Sequence, residues 1–194
     1  MSRMTADLHE AVIVIAREAG QAILAVYENA FDVQRKSDDS PLTAADMAAH
    51  QVIADGLRRL TPQWPVLSEE ASDIPWAERS QWPTYWLVDP LDGTREFIKR
   101  NGEFTVNIAL IEQNEPIFGV VHAPVTGETW HARQGRNAYR RIGEVDAQIR
   151  TRAPARGTLK VAASRSHRDA RTQAFLEGMG GIEEVSLGSS LKFC

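Results

Sequence analysis

The sequence predicts an α+β protein or a layered α/β arrangement, because helical patterns flank a central region of strands. Residues 5–29 place apolar side chains at spacings of three and four, which is typical of an amphipathic helix. Residues 66–132 contain short apolar runs separated by turn residues, the pattern of β-strands. A strand, a helix and a strand are expected over residues 159–187. With 194 residues, 43% of them hydrophobic, the chain can bury a sizeable core.

The first elements follow from local patterns. The apolar positions of the first helix are Leu8, Val12, Ile15, Ala19, Ile23 and Val26. Residues 31–42 are polar and rich in turn formers, so they predict a loop or an irregular hairpin. A second helix is expected to begin near Thr43 and to end at Thr61-Pro62. A strand is predicted at 66–68, a loop at 71–84, and a buried strand at 85–88 that ends at Asp89.

The later elements are mostly strands. A short helix is predicted at 95–100, followed by strands at 104–112 and 117–122 around a turn at 113–116. Thr126-Gly127 indicates a further hairpin that leads into a strand at 129–132. Beyond it, we predict a strand at 159–163, a helix at 169–179 and a strand at 184–187. There is no internal repeat.

Composition excludes several classes of protein. The single cysteine, Cys194, excludes a disulfide framework and a thiolate metal site, and it favours a reducing, cytoplasmic setting. No apolar run approaches the ~20 residues that span a bilayer, so an integral membrane protein is not expected. Residues 1–7 show no secretory signal. Peripheral contact with the inner membrane and a homodimer are left open.

Charge is unevenly distributed along the chain. Residues 1–132 carry ten Lys or Arg against twenty Asp or Glu, whereas residues 133–171 carry eleven against three. This asymmetry is compatible with a cation site beside a site for anionic ligands, and equally with arginines that cover exposed loops. The pI near 5.8 argues against a nucleic-acid polymer as the partner.

The most informative motif is the segment 89–94 (DPLDGT), directly after an apolar strand. Asp89 and Asp92 can converge on one hard cation, because oxygen ligands suit magnesium. Gly93 permits a positive φ or a close backbone approach, and Thr94 precedes a short helix whose free N–H groups favour an anion such as phosphate. A metal opposite such donors suits phosphoryl transfer. A tight turn with a helix cap is the structural alternative.

Three other acidic residues are ambiguous by themselves. Glu69-Glu70 follows a strand and is ordinarily a solvated pair, but parallel neighbouring strands would bring Glu69 and Asp89 to one sheet edge. Asp46 lies in a Thr-x-x-Asp pattern that matches a capping box.

Phosphatases that form an aspartyl-phosphate place two carboxylates two residues apart. Asp89 and Asp92 are three residues apart, and this spacing favours metal-bound water as the nucleophile instead. The five histidines show neither zinc spacing nor a catalytic triad.

Residues 86–98 (WLVDPLDGTREFI) resemble the first signature of the inositol monophosphatase superfamily, and the longer context resembles its bacterial 3′(2′),5′-bisphosphate nucleotidases. Supporting segments occur in the family's order at 40–46, 65–70, 99–110, 164–167 and 188–194. The resemblance implies a layered αβαβα fold. It also implies a hydrolase that uses two or more Mg²⁺ ions to convert adenosine 3′,5′-bisphosphate to AMP and phosphate, and that lithium inhibits.

The resemblance also implies roles for particular residues. The implied metal ligands are Glu69, Asp89, Asp92 and the carbonyl of Leu91. Thr94, backed by Asp46, is implied to orient and deprotonate the attacking water, with Glu70 as support. The implied substrate contacts are Glu69, Leu91, Asp92, Gly93, Thr94, His167, Ser189 and Lys192.

The family's second signature, Trp-Asp-x-Ala-Ala-Gly, does not occur in these 194 residues. We therefore expect a fragment of a longer protein rather than a natural truncation, because residues 191–194 resemble the opening of a helix without a stop signal. The expected organisation is an α+β metal-binding domain at 1–150 and the start of an α/β domain at 151–194. Two other functions stay open: a phosphatase of inositol monophosphate or another sugar phosphate, and a fragment that only binds metal or phosphate.

Overall fold

The computed structural model of the protein describes residues 4–28, 33–35, 41–71, 73–151 and 157–194. Its helices are α1 (Ala6–Tyr27), α2 (Ala44–Leu60), α3 (Trp76–Arg79), α4 (Thr94–Ile98) and α5 (Ala170–Met179), and a 3-10 helix spans Ser189–Phe193. The strands are β1 (Val33–Arg35), β2 (Pro41–Thr43), β3 (Val66–Ser68), β4 (Thr84–Asp92), β5 (Thr105–Glu112), β6 (Glu115–Ala123), β7 (Glu128–Arg133), β8 (Ala138–Ile142), β9 (Val145–Ile149), β10 (Leu159–Ser164) and β11 (Ile182–Leu187).

Seven of the strands form one mixed sheet, in which β3 to β9 lie in sequence order. β3 pairs in parallel with β4, and every later neighbour in this sheet is antiparallel. β10 and β11 form a separate parallel pair connected through α5. β1 and β2 form a small antiparallel pair. Helices and a mixed sheet therefore combine as the α+β prediction requires.

α1 and α2 pack against each other and cover one face of the large sheet. The core between helices and sheet contains large, fully buried side chains that include Trp86, Ile108, Leu110 and Phe118. α1 approaches β6 closely at Gly20, where a Cβ atom would lie 2.7 Å from Cδ2 of the His122 ring. Within the described part of the chain, no helix combines the length and the apolar character that crossing a membrane requires.

The opposite face of the sheet carries polar side chains near the end of β4. Side chains alternate between the two faces of a strand, so Trp86 and Val88 enter the core while Leu87 and Asp89 lie on the other face. Leu87 is accordingly 44% exposed. Asn107 pairs with Asp89 across the β4–β5 ladder and lies on this same face. The fold thus places Asp89 on the face away from α1 and α2.

Most predicted elements are confirmed, with differences that have physical reasons. β4 continues past Asp89 to Asp92 through a register irregularity, because the intervening proline cannot complete a regular ladder. The short helix α3 lies inside the predicted loop. β8 and β9 were not predicted, because few of their side chains are buried and no apolar alternation marks them.

The structure also bears on the elements predicted at residues 31–42 and 191–194. β1 and β2 form the antiparallel pair that the hairpin alternative for residues 31–42 requires, and residues 31–32 and 36–40, including Ser40 of the supporting motif, lie outside the described residues. The expected opening of a helix near Leu191 takes the form of the 3-10 helix that starts at Ser189.

Candidate active site

The ends of β3 and β4 bring Glu69 and Asp89 to one edge of the sheet. Ser68 is in register with Val88, and the backbone N–H of Glu69 donates to the Val88 carbonyl at 3.1 Å. The two strands are parallel, as the sequence-based argument about their shared edge required. Both carboxylates line a cavity of about 470 Å³. The structure therefore brings these two predicted ligands together.

The walls of this cavity are largely apolar, and few polar side chains reach it. Besides Glu69 and Asp89, the polar lining includes Arg79 from α3 and Asn107 from β5. Neither residue was predicted from the sequence as part of the site. Asn107 could have been found from its place opposite Asp89 in the ladder once the β4–β5 pairing is known. Arg79 has no such signal, because it lies in a segment predicted as a loop.

The turn at Asp92-Gly93-Thr94 depends on glycine. Gly93 has φ +96°, a left-handed conformation that side-chain-bearing residues rarely adopt. A Cβ atom there would also lie 3.0 Å from the Glu103 carbonyl oxygen and 3.1 Å from Cβ of Ser189. α4 begins directly after it at Thr94, whose hydroxyl donates to the Leu91 carbonyl at 3.3 Å. Local backbone geometry thus sets the position of Thr94.

The carboxylate of Asp92 is held by residues from the far end of the chain. Ser189 Oγ donates to Asp92 Oδ2 at 2.7 Å, and the Ser190 N–H donates to the same oxygen at 2.5 Å. Both serine hydroxyls also lie within 2.8 Å of the Thr105 hydroxyl at the start of β5. Asp92 therefore connects the end of β4 to the turn after β11.

Most of the predicted substrate contacts meet in a second cavity, of about 180 Å³. Its lining residues are Asp92, Gly93, Thr94, Arg95, Glu96, Ser164, His167, Ser189 and Lys192. Six of the eight substrate-binding residues implied by the resemblance are in this group. Glu69 lines the larger cavity instead, and Leu91 lines neither. The ammonium group of Lys192 donates to the Ser189 carbonyl, so it belongs to the wall of the cavity.

The implied metal ligands supply oxygen donors, which suit Mg²⁺. The structure does not gather them into one group. Across the described ranges, no three His, Cys, Asp or Glu side chains are arranged to hold a metal ion. Glu69 and Asp89 share one cavity, whereas Asp92 is turned toward Ser189 and Ser190. The donor chemistry fits a hard cation, and both serine contacts of Asp92 use the same oxygen, Oδ2.

The remaining implied residues lie near this region. Asp46 is buried in the first turn of α2, and Glu70 is half-buried directly after Glu69. The Thr94 hydroxyl donates to Leu91 rather than to Asp46. The proposed Thr94–Asp46 pair therefore stays a prediction.

Ion pairs explain much of the basic segment at 133–171. Arg140 pairs with Glu128, Arg141 with Glu10 and Asp146, and Lys160 with Glu183. Arg165 pairs with Glu103 and Arg168 with Glu184. Arg140, Arg141, Arg165 and Arg168 therefore balance acidic neighbours, while His167 and Lys192 border the smaller cavity.

Comparisons with known proteins agree with this arrangement. The sequence model of the inositol monophosphatase family matches residues 5–194. The 3′(2′),5′-bisphosphate nucleotidase CysQ of Salmonella typhimurium is 55% identical over 188 residues, which cover 95% of this chain and 74% of that protein. The corresponding protein of Buchnera aphidicola is 41% identical over 182 residues, 93% of this chain and 68% of its own length.

A solved structure has the same fold. The crystal structure of CysQ from Bacteroides thetaiotaomicron superposes with a TM-score of 0.82 at 38% identity, covering 97% of this chain and 75% of that one. The resemblance found in the sequence, the fold class and the phosphatase class of enzyme are thereby confirmed. The match of the family model to residues 5–194 and the identity to these relatives show that the chain belongs to the inositol monophosphatase family.

Proposed function

We propose that the chain is a magnesium-dependent phosphomonoesterase that converts adenosine 3′,5′-bisphosphate to AMP and inorganic phosphate. The observation that carries this proposal is the smaller cavity, where Asp92, Gly93 and Thr94 face Ser189, Lys192 and His167. Cationic and hydroxyl groups opposite a carboxylate-bearing turn suit a phosphate ester whose charge is shared with a bound cation. The nucleotidase names of relatives at 55% identity favour the nucleotide as substrate.

The residues that would hold the cation are Glu69, Asp89, Asp92 and the Leu91 carbonyl. When bound there, Mg²⁺ supplies charge neutralisation for the phosphate and activation of the attacking water. Glu69 and Asp89 already share a cavity, so they form the part of the site that needs least rearrangement.

The chain's own groups bind and orient the phosphate. The backbone N–H groups of Gly93 and Thr94 are proposed to donate to its oxygens. Lys192 and His167 lie on the rim of the same cavity, where their charge or N–H groups can hold the nucleotide. Thr94, backed by Asp46, is proposed to orient the attacking water and to accept a proton from it while the threonine hydroxyl proton passes toward Asp46. Glu70 is proposed to support this pair. This requires Thr94 to release its hydrogen bond to Leu91.

The division into domains at 1–150 and 151–194 is part of the same proposal. The metal ligands come from the first part, whereas His167, Ser189 and Lys192 come from the second. A cytoplasmic setting and the homodimer stay predictions.

The decisive experiment measures phosphate release by the chain with adenosine 3′,5′-bisphosphate and, in parallel, inositol 1-phosphate. We expect turnover of the nucleotide with Mg²⁺, loss of turnover with a chelator, and a decrease of at least ~100-fold in Asp89→Asn. Asp73→Asn, which changes an exposed carboxylate, is the matched control.

Each outcome separates the possibilities. Near-parental activity of Asp89→Asn would reject the proposed role of that carboxylate. Preference for inositol 1-phosphate would replace the substrate. Magnesium binding in calorimetry without turnover would favour a chain that only binds its ligands.

A further inference from the structure

We propose that Glu103 is a positioning residue that, together with Arg165, holds the turn Gly188–Ser190 against Asp92. Glu103 lines neither of the two cavities described above, so it acts through the turn rather than on a substrate. Its consequence for substrate binding rests on the proposed function. The holding contact itself does not.

Three donors converge on the Glu103 carboxylate. Arg165 donates from Nε to Oε2 at 2.9 Å and from Nη2 to Oε1 at 2.7 Å. The backbone N–H of Gly188 donates to Oε2 at 2.8 Å. Such a bidentate, charge-assisted contact has a defined orientation. Because Arg165 follows β10 and Gly188 follows β11, one carboxylate fixes the ends of both strands.

The same guanidinium also stabilises the end of β11. Arg165 Nη2 donates to the Ser186 carbonyl at 2.7 Å, and the Arg165 backbone N–H donates to the Leu187 carbonyl at 3.1 Å. Burial alone would raise the pKa of Glu103, but the hydrogen bonds from Arg165 and Gly188 lower it below its ordinary value. The carboxylate is thus held in its charged form.

Packing around Gly188 leaves the turn little alternative. A Cβ atom at Gly188 would lie 2.5 Å from Cγ of Glu96 and 3.1 Å from Oε2 of Glu103. Glu96 is 1% exposed, and its carboxylate accepts a hydrogen bond from the Ser166 hydroxyl. Two glutamates from the α4–β5 region therefore enclose Gly188, and the two residues that follow it in the turn, Ser189 and Ser190, bind Asp92.

An ordinary surface ion pair between the same two strands provides a control. Lys160 and Glu183 are register partners on β10 and β11, and they make a single contact of 2.9 Å with both side chains more than half exposed. This pair carries no backbone donor from the turn. Glu103→Gln and Glu183→Gln therefore compare a positioning contact with a purely peripheral one.

The test measures backbone amide hydrogen exchange by NMR on the full chain without ligand. In Glu103→Gln we expect the Gly188 and Ser190 amides to exchange at least ~10-fold faster, and less than ~3-fold faster in Glu183→Gln. Arg165→Lys keeps the charge but loses the planar fork, so it should give an intermediate increase. It also serves as the second variant if Glu103→Gln does not fold. Equal exchange in the Glu103 and Glu183 variants would overturn the proposal.

Turnover supplies the second measurement. Since the turn carries Ser189 and precedes Lys192, Glu103→Gln should raise KM for the nucleotide by ~10-fold, more than it lowers kcat. A general loss of stability would not produce that split. Faster amide exchange in a chain whose parent shows no turnover would reject the proposed function and retain the positioning role. If the parent turns over the nucleotide while the amide exchange of Glu103→Gln stays unchanged, the positioning role is rejected and the proposed function is retained.

Discussion

The buried histidine of β6 should make the protein less stable as the pH falls from neutral toward 4. His122 is 3% exposed, its Nδ1 lies 2.9 Å from the Thr129 hydroxyl, and Gly20 of α1 packs against its ring. Burial lowers the pKa of His122 to about 4, and the nearby charge of Arg17 acts in the same direction, against a backbone hydrogen bond with Glu128 that raises it.

The sign of the effect follows from which state binds the proton. Above pH 6.5 the imidazole is neutral in both the folded and the unfolded chain, so it contributes nothing. Between 6.5 and 4 the unfolded chain takes up a proton that the folded chain does not, and the free energy of unfolding decreases. With a folded pKa of about 4, the decrease from pH 7 to pH 4.5 is about 2.5 kcal/mol.

Urea denaturation of the parent and of His122→Asn at both pH values measures this contribution. Asparagine places an amide near the Thr129 hydroxyl, and the space it leaves lowers stability equally at both pH values. The pKa of His9 is also lowered to about 4, chiefly by burial, so only the difference between parent and variant isolates His122. If the variant loses as much stability on acidification as the parent, the reasoning about His122 is wrong.

Two further substitutions test the packing of the site and of the sheet edge. Gly93→Ala should lower the free energy of unfolding by about 2 kcal/mol, because it combines a left-handed φ with a 3.0 Å approach to the Glu103 carbonyl. Gly127→Ala, with φ +71° and open space, should cost less, and equal costs would show that the close approach is unimportant. Arg141→Met should cost about 2 kcal/mol, since Arg141 is 9% exposed and makes bidentate contacts with Glu10 and Asp146. Thermal denaturation should show a smaller loss for Arg140→Met, because the Arg140 side chain is 43% exposed against 11% for Arg141, and the opposite order would contradict the assignment.

Local patterns were sufficient wherever a residue's environment depends on its immediate neighbours. The apolar spacing of α1 predicted its buried face, whereas the run 85–88 was predicted to be buried throughout. Trp86 and Val88 lie in the core, but Leu87 is 44% exposed because alternate side chains of β4 face away from the helices. The parallel pairing of β3 with β4 then brought Glu69 beside Asp89. Asn107 was missed because its role depends on the partner strand rather than on its own segment.

The sequence by itself determined the helices other than α3, most strands, the acidic strand ends and the family. Only the tertiary structure decided that Asp92 is held by Ser189 and Ser190, almost a hundred positions away, and that Glu103 meets Arg165 and Gly188. Periodicity reports which side of an element is buried, but it carries no information about which distant turn arrives there. That depends on strand order and on the backbone geometry at glycines such as Gly93, which are properties of the whole folded chain.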